Sequence, residues 1–231
     1  MVITTRQKHQ LEHLRLNINV NSEKLCQVES HKLLGVVIDN CLQWKQHIEK
    51  VCNKVSKNLY LLSKLKLYVN SSYRMKFFYA HCLSHINYSS TVWSGAANIH
   101  LIKLNSLHRR GAKLISSSIN SDTSKKLKDL NILPLKAQLD YNIATLVFKC
   151  KHDKAPYYLQ SLLLKSSDRY CSLRYLKPKC NNDIFQTSFC MKGASIWNDL
   201  TIILKEKKSF AGFKTLLKKC LIEQSNAYLL F

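Results

Sequence analysis

Glycine and proline are scarce in this chain of 231 residues, at 5 and 3 respectively. So few turn formers argue against an all-β fold of many hairpins. Hydrophobic residues at 46% and aromatics at 10% argue equally against a disordered or low-complexity chain. No apolar run approaches the ~18 residues of a membrane-spanning helix, so no stable membrane insertion is expected. The first ten residues, MVITTRQKHQ, lack the apolar stretch of a signal peptide. Cysteine is not scarce, but none of the nine cysteines stands in a C-x-x-C pair and their number is odd. Neither a disulfide framework nor a structural zinc site is expected from such spacing. Reduced thiols predict a nuclear or cytoplasmic protein.

Acidic residues are the other shortage. Lys and Arg total 36 against 14 for Asp and Glu, a formal net charge of +22. Such an imbalance repels itself in a compact state unless a polyanion neutralises it. Nucleic acid and an anionic membrane surface are the two obvious partners. Lysine dominates the excess, and its point charge suits backbone phosphates, whereas the arginine fork suits base edges. The composition therefore favours binding that is indifferent to sequence.

Periodicity divides the chain. Leu14, Leu16, Ile18 and Val20 alternate with polar residues, as a half-buried strand does. Leu25–Val28 and Leu33–Ile38 continue the pattern, which predicts a small antiparallel sheet over roughly 14–38. Gly35 inside the last strand predicts a bulge or a close backbone approach. From Trp44 the period lengthens. Ile48, Val51, Cys52, Val55, Leu59, Leu62 and Leu65 form an apolar helical stripe, with Lys45, Lys50, Lys54, Lys57 and Lys64 largely away from it. Further helices are predicted over Tyr73–Ser84, capped by Ser71 or Ser72, and over Ile99–Ile115, Leu135–Lys151 and Phe210–Ile222. In the second of these, Ile102, Leu104, Leu107, Ala112 and Ile115 read as the apolar side, and Lys103, His108, Arg109, Arg110 and Lys113 as the basic side. Ser116–Ser124 reads as a polar linker and Lys165–Phe189 as irregular. The fold class is mainly α with a small N-terminal antiparallel β-sheet.

Several phrases occur in an order that resembles the reverse transcriptases of LINE-type (non-LTR) retrotransposons. His31–Asp39 is similar to that family's K-F/Y-L-G-V-x-I/L-D element, and Leu42–Ile48 to its L-x-W-x-x-H-I. Val55-Ser56-Lys57 with Leu59 and Leu62 resembles the start of its thumb helix. Tyr88 with Val92–Gly95 resembles Y-x-x-x-V-W-G, and Leu107–Ala112 resembles L-Q-N-R-A-A-R. Leu133–Leu135, Ala155–Leu159, Ser188-Phe189, Gly193-Ala194 and Trp197-Asn198 are similar to the family's tail. Departures are Ser84 where Pro is usual, Asp153-Lys154 in place of a glycine-containing turn, and Gly111 where Ala is usual. A helical Gly costs roughly 1 kcal/mol against Ala.

The resemblance implies a region that follows the polymerase palm: residues 1–40 as a hairpin region like the primer grip, 41–118 as a helical thumb-like domain, and 119–231 as a C-terminal helical segment. It implies contact with an RNA–DNA hybrid or duplex through backbone phosphates, and a palm that is separate from this chain or missing. The candidate nucleic-acid-binding residues are Leu34, Gly35, Lys45, Lys50, Lys54, Lys57, Lys64, Arg109, Arg110 and Lys113. Two-metal nucleotidyl transfer needs clustered carboxylates, and no Asp-Asp pair occurs in the sequence. The expectation is a non-catalytic fragment with no cofactor. His81, Cys82 and His85 form H-C-x-x-H on a predicted helix, the two His on one face, but no further ligand lies nearby in sequence, so core packing is the preferred reading. Trp44, Trp93 and Trp197 read as anchors between helices rather than platforms for bases. The alternatives are a protein-interaction domain with incidental charge and a peripheral membrane binder.

Overall fold

A computed structural model describes residues 1–4, 17–116, 122–164, 173–179 and 182–224. Among the described residues, its N-terminal part holds two small antiparallel hairpins rather than one sheet. Strand β1 (Asn19–Val20) pairs with β2 (Glu23–Lys24), and β3 (Ser30–Leu33) with β4 (Val36–Asp39), in register from Ser30 opposite Asp39 to Leu33 opposite Val36. The stretch Leu33–Ile38 is therefore not a single strand. It reverses at Leu34 and Gly35, whose φ values are 45° and 86°. Two successive residues at positive φ match the right-handed twist of a two-residue hairpin. Gly35 is thus a turn residue, not a bulge. Leu25–Val28 forms no strand, and Leu14 and Leu16 lie outside the described residues.

Helix α1 spans Lys45–Leu65 and buries His47, Ile48, Val51, Cys52, Val55, Leu59 and Leu62. The expected stripe is present, with Leu65 only half-buried at its end. Helix α2 (Ser71–Phe77) is capped by Asn70, whose side chain accepts from the Tyr73 N–H at 3.2 Å, one residue before the expected serines. It runs on through a π-helical segment, Phe78–Leu83, into α3 (Ser84–Asn87). Next come α4 (Ser90–Trp93), α5 (Asn98–Ile115) and α6 (Thr123–Asp129). The C-terminal half contains α7 (Leu135–Lys151), α8 (Tyr157–Ser161), α9 (Asp183–Gln186), α10 (Phe189–Asp199), α11 (Ile202–Lys205) and α12 (Phe210–Glu223). The expected linker 116–124 and irregular stretch 165–189 fall partly outside the described residues. The fold is mainly α with small antiparallel β hairpins near the N-terminus. Among the described residues, no helix is long and apolar enough to cross a membrane.

Among the described residues, burial forms two clusters. The first joins α1 to Phe78, Cys82, Ile86, Trp93, Leu104, Ala112 and Ile115, and reaches Leu127, Ile132, Leu135 and Leu139. The second gathers Ala137, Ile143, Val147 and Phe148 with Trp197, Leu204, Phe213 and Leu217. Helix α7 supplies both, so it is apolar around most of its circumference and has no single polar face. Trp44, Trp93 and Trp197 are all buried.

The register of α5 differs from the sequence reading. Ile102 is 60% exposed, whereas His108 is fully buried together with Gly111. A Cβ at Gly111 would fall far inside contact distance of Phe78 Cε2 and 2.8 Å from Cδ2. Helix propensity alone makes Gly111→Ala a gain of about 1 kcal/mol. The packed ring reverses the sign, because overpacking costs about 1–3 kcal/mol. Urea unfolding of Gly111→Ala should show a lower midpoint at unchanged slope; a higher midpoint would remove the Phe78 ring from that position.

Candidate nucleic-acid interface

The turn at Leu34–Gly35 is clamped to the helices by a connected set of hydrogen bonds. The Asp39 carboxylate, at the end of β4, accepts three backbone N–H groups: Cys41 at 3.1 Å and Gln43 at 2.8 Å on Oδ1, and Trp44 at 2.7 Å on Oδ2. This folds residues 40–44 back on the strand and sets the start of α1, with Trp44 itself at φ 65°. One turn into the helix, His47 Nδ1 accepts the Val37 N–H at 3.3 Å. The Tyr88 hydroxyl donates to the Leu34 carbonyl at 2.6 Å, and Trp93 Nε1 donates to the Tyr88 carbonyl at 3.1 Å. The His47 and Trp93 rings lie 5.8 Å apart. Asp39 thus acts as a structural carboxylate at the strand–helix junction.

This clamp holds an aliphatic side chain out of the protein. Leu34 is 84% exposed at the tip of the turn, at a positive φ that costs a non-glycine residue strain. A Cβ added at Gly35 would meet Tyr88 Cε1 at 3.5 Å, an ordinary contact. What requires glycine here is the φ of 86° rather than the space.

The lysines of α1 do not share one face equally. At about 100° per residue, Lys50, Lys54, Lys57 and Lys64 fall within roughly 80° of arc and span about 21 Å of helix axis. Lys45 lies about 140° from Lys50 and belongs to the flank. Lys54, Lys57 and Lys64 are exposed, and Lys50 is half-buried. Exposed Leu61 lies within the same stripe and exposed Tyr60 beside it, and Lys64 Nζ sits 5.5 Å from the centre of the Tyr60 ring. On α5, Arg110 and Lys113 are exposed and Arg109 is half-buried. Arg109 is close enough to Asp122 to help lower the carboxyl pKa there, after hydrogen bonds led by Ser124. Its charge is therefore partly matched within the chain.

The structure also brings together residues that the sequence reading had not grouped. Between the hairpin turn, α1 and α3 lies a small cleft of about 40 Å³, lined by Gly35, His47, Lys50, Val51, Lys54, His85 and Tyr88. Desolvation, then the ammonium groups of Lys32 and Lys54, lower the Lys50 pKa. Burial, followed by Lys50 and Lys54, holds the His47 pKa below its ordinary value. His85 is lowered by burial, Lys54 and His81. Lys32 lies on β3, 18 residues before Lys50 in a different element, so no single helical or strand period connects them.

Cys82, of the H-C-x-x-H phrase, is buried, and burial pushes its thiol up to about 12. Among the described residues, no group of three or more His, Cys, Asp or Glu side chains is placed to hold a metal ion. No family model matches this chain, and no curated protein or solved structure matches it.

Proposed function

We propose that this chain is a non-catalytic nucleic-acid-binding segment, like the primer-grip hairpin, thumb and C-terminal region of a non-LTR retrotransposon reverse transcriptase. It takes the sugar–phosphate backbone of an RNA–DNA hybrid or duplex along α1. The observation that carries this reading is the lysine stripe Lys50–Lys64 leading away from the strained turn at Leu34–Gly35. Each lysine that neutralises a phosphate releases condensed counterions, so binding of this kind weakens steeply with salt. Anisotropy titrations of a labelled RNA–DNA hybrid should give a log–log salt slope of several units, at about 0.9 per phosphate neutralised on B-form DNA, with little preference among sequences of equal length. A flat salt dependence, or a strong preference for one sequence, would count against it. With no Asp-Asp pair in its sequence, the chain should extend no primer on poly(rA)/oligo(dT) with Mg²⁺ or Mn²⁺.

A second reading has one observation in its favour. Leu67 and Tyr68, just past α1, are each 84% exposed, next to Lys64 and Lys66. Apolar side chains among lysines are also how a peripheral protein meets an anionic bilayer. Flotation with phosphatidylserine vesicles, alongside the hybrid titration, separates the two.

A further inference from the structure

The connection between α1 and α2 presents large side chains to solvent from a built turn. The Leu65 carbonyl accepts the N–H groups of Tyr68 and Val69, each at 3.0 Å, and the Asn70 side chain caps α2. The turn holds Leu67 and Tyr68 outward, each 84% exposed. Tyr60 before the turn and Tyr73 after it are 58% and 61% exposed. The ammonium groups of Lys64 and Lys76 lie 5.5 and 5.3 Å from the centres of those two rings. Lys66, in the turn itself, is exposed as well. The sequence has no Asp or Glu from Lys50 to Ser121, so no carboxylate along this part of the chain neutralises these lysines. Exposed apolar side chains gathered at a fixed turn mark a contact surface.

We propose that this tip binds the unpaired bases of a single-stranded segment, with Tyr68 as the main stacking platform, Tyr60 and Tyr73 flanking it, and Lys64, Lys66 and Lys76 on the intervening phosphates. Three features select that partner. Every base has a π face, and an exposed aromatic ring gives it a contact that is indifferent to sequence. Cation and ring stand side by side at Tyr60 and Tyr73, as phosphate and base do on a strand. The exposed rings also run on from the lysine stripe of α1, with Tyr60 beside the stripe, Tyr68 at the turn and Tyr73 beyond it. A strand can follow such a track from lysines onto rings, whereas a flat bilayer meets only the turn. Within a duplex the bases are stacked on one another and only backbone faces outward. The tip therefore distinguishes a hybrid with a single-stranded extension from a blunt one.

This inference rests on the nucleic-acid reading and adds the unpaired base to it. The test uses the full chain and RNA–DNA hybrids of one duplex length, either extended by single-stranded DNA or extended by the same number of abasic sites. The two extensions carry equal phosphate charge and differ only in their bases. Anisotropy titrations should show the base-bearing extension bound about tenfold more tightly than the abasic one. Tyr68→Ala should remove most of that difference and Tyr68→Phe should keep it. Circular dichroism of both variants should match wild type, since the side chain is exposed. If wild-type protein binds the two extended hybrids equally, the inference falls and backbone binding along α1 stands. A preference for bases that survives Tyr68→Ala places stacking elsewhere and overturns the tip as its site. If no hybrid binds, both readings fail. Binding of phosphatidylserine vesicles that Tyr68→Ala abolishes, with no preference for bases, would overturn the inference in favour of a membrane contact.

Discussion

Leu59→Ala is expected to lose about 2–5 kcal/mol of stability, the range for emptying a buried leucine site. Leu59 is fully buried near the middle of α1, in the cluster that joins this helix to Phe78, Cys82 and Ile86. The flanking Val55 and Leu62 are equally inaccessible, so the surroundings have little room to collapse into the space. Urea unfolding followed by circular dichroism measures the loss directly. Lys54→Gln and Lys57→Gln, on the opposite face, should each change stability by under about 0.5 kcal/mol, as exposed substitutions do. A neutral Leu59→Ala would mean that the helix is rotated from the register described above.

Acid should weaken the fold through His108. Its ring is fully buried, neither nitrogen has a partner among the described residues, and burial pushes its pKa down to about 4, from 6.5. Above pH 6.5 the ring is neutral whether the chain is folded or not, so it adds no pH dependence. As pH falls below 6.5 the unfolded chain takes up a proton that the folded chain refuses, and stability falls by about 1.4 kcal/mol per pH unit. The loss is complete near pH 4, at about 3 kcal/mol. His47, His85 and His152 are shifted in the same direction, so the wild-type slope alone does not isolate His108. His108→Leu does. It should be neutral or stabilising by about 1 kcal/mol at pH 7.5, because it removes two unpartnered buried nitrogens. It should also flatten the slope between pH 6.5 and 4.5. A variant with the wild-type slope would place the acid sensitivity elsewhere.

How far these features were legible in the sequence depended on whether one period carried the signal. Helix α1 was readable because seven apolar or semi-polar residues repeat at steps of three and four against lysines, and its buried face follows that pattern. Helix α7 was placed correctly between Pro134 and Lys151, but its role in two cores was not readable, since a helix buried on both sides has no polar face to define it. The hairpin was misread because Leu34, an aliphatic residue with no turn preference, takes the positive φ that Asn or Gly usually supplies. His108 was misread for a different reason. Its neighbours Arg109 and Arg110 are basic, and the Phe78 ring that lies 5.7 Å from it comes from 30 residues earlier in the chain. The clasp that ties Tyr175 to Asn198, whose amide oxygen accepts the Tyr175 N–H and whose amide nitrogen donates to the Tyr175 carbonyl, likewise joins residues that no local pattern relates. The candidate site divides in the same way. The lysine stripe is a single-helix pattern and was visible. The cleft of Gly35, His47, Lys50, His85 and Tyr88 depends on how the hairpin folds over α1, and was not.

Contact between the exposed lysines of α1 and backbone phosphate is tested most directly by one comparison. Binding of an RNA–DNA hybrid is measured across a salt series for the wild-type chain and for the double variant Lys54→Gln, Lys57→Gln, with thermal unfolding of both recorded in the same buffers. The double variant should bind more weakly, with a salt slope lower by up to about two units if both lysines meet phosphate, and with an unchanged melting temperature. A folded double variant with wild-type affinity and wild-type slope would contradict it, leaving α1 as a core helix whose basic face is merely solvated.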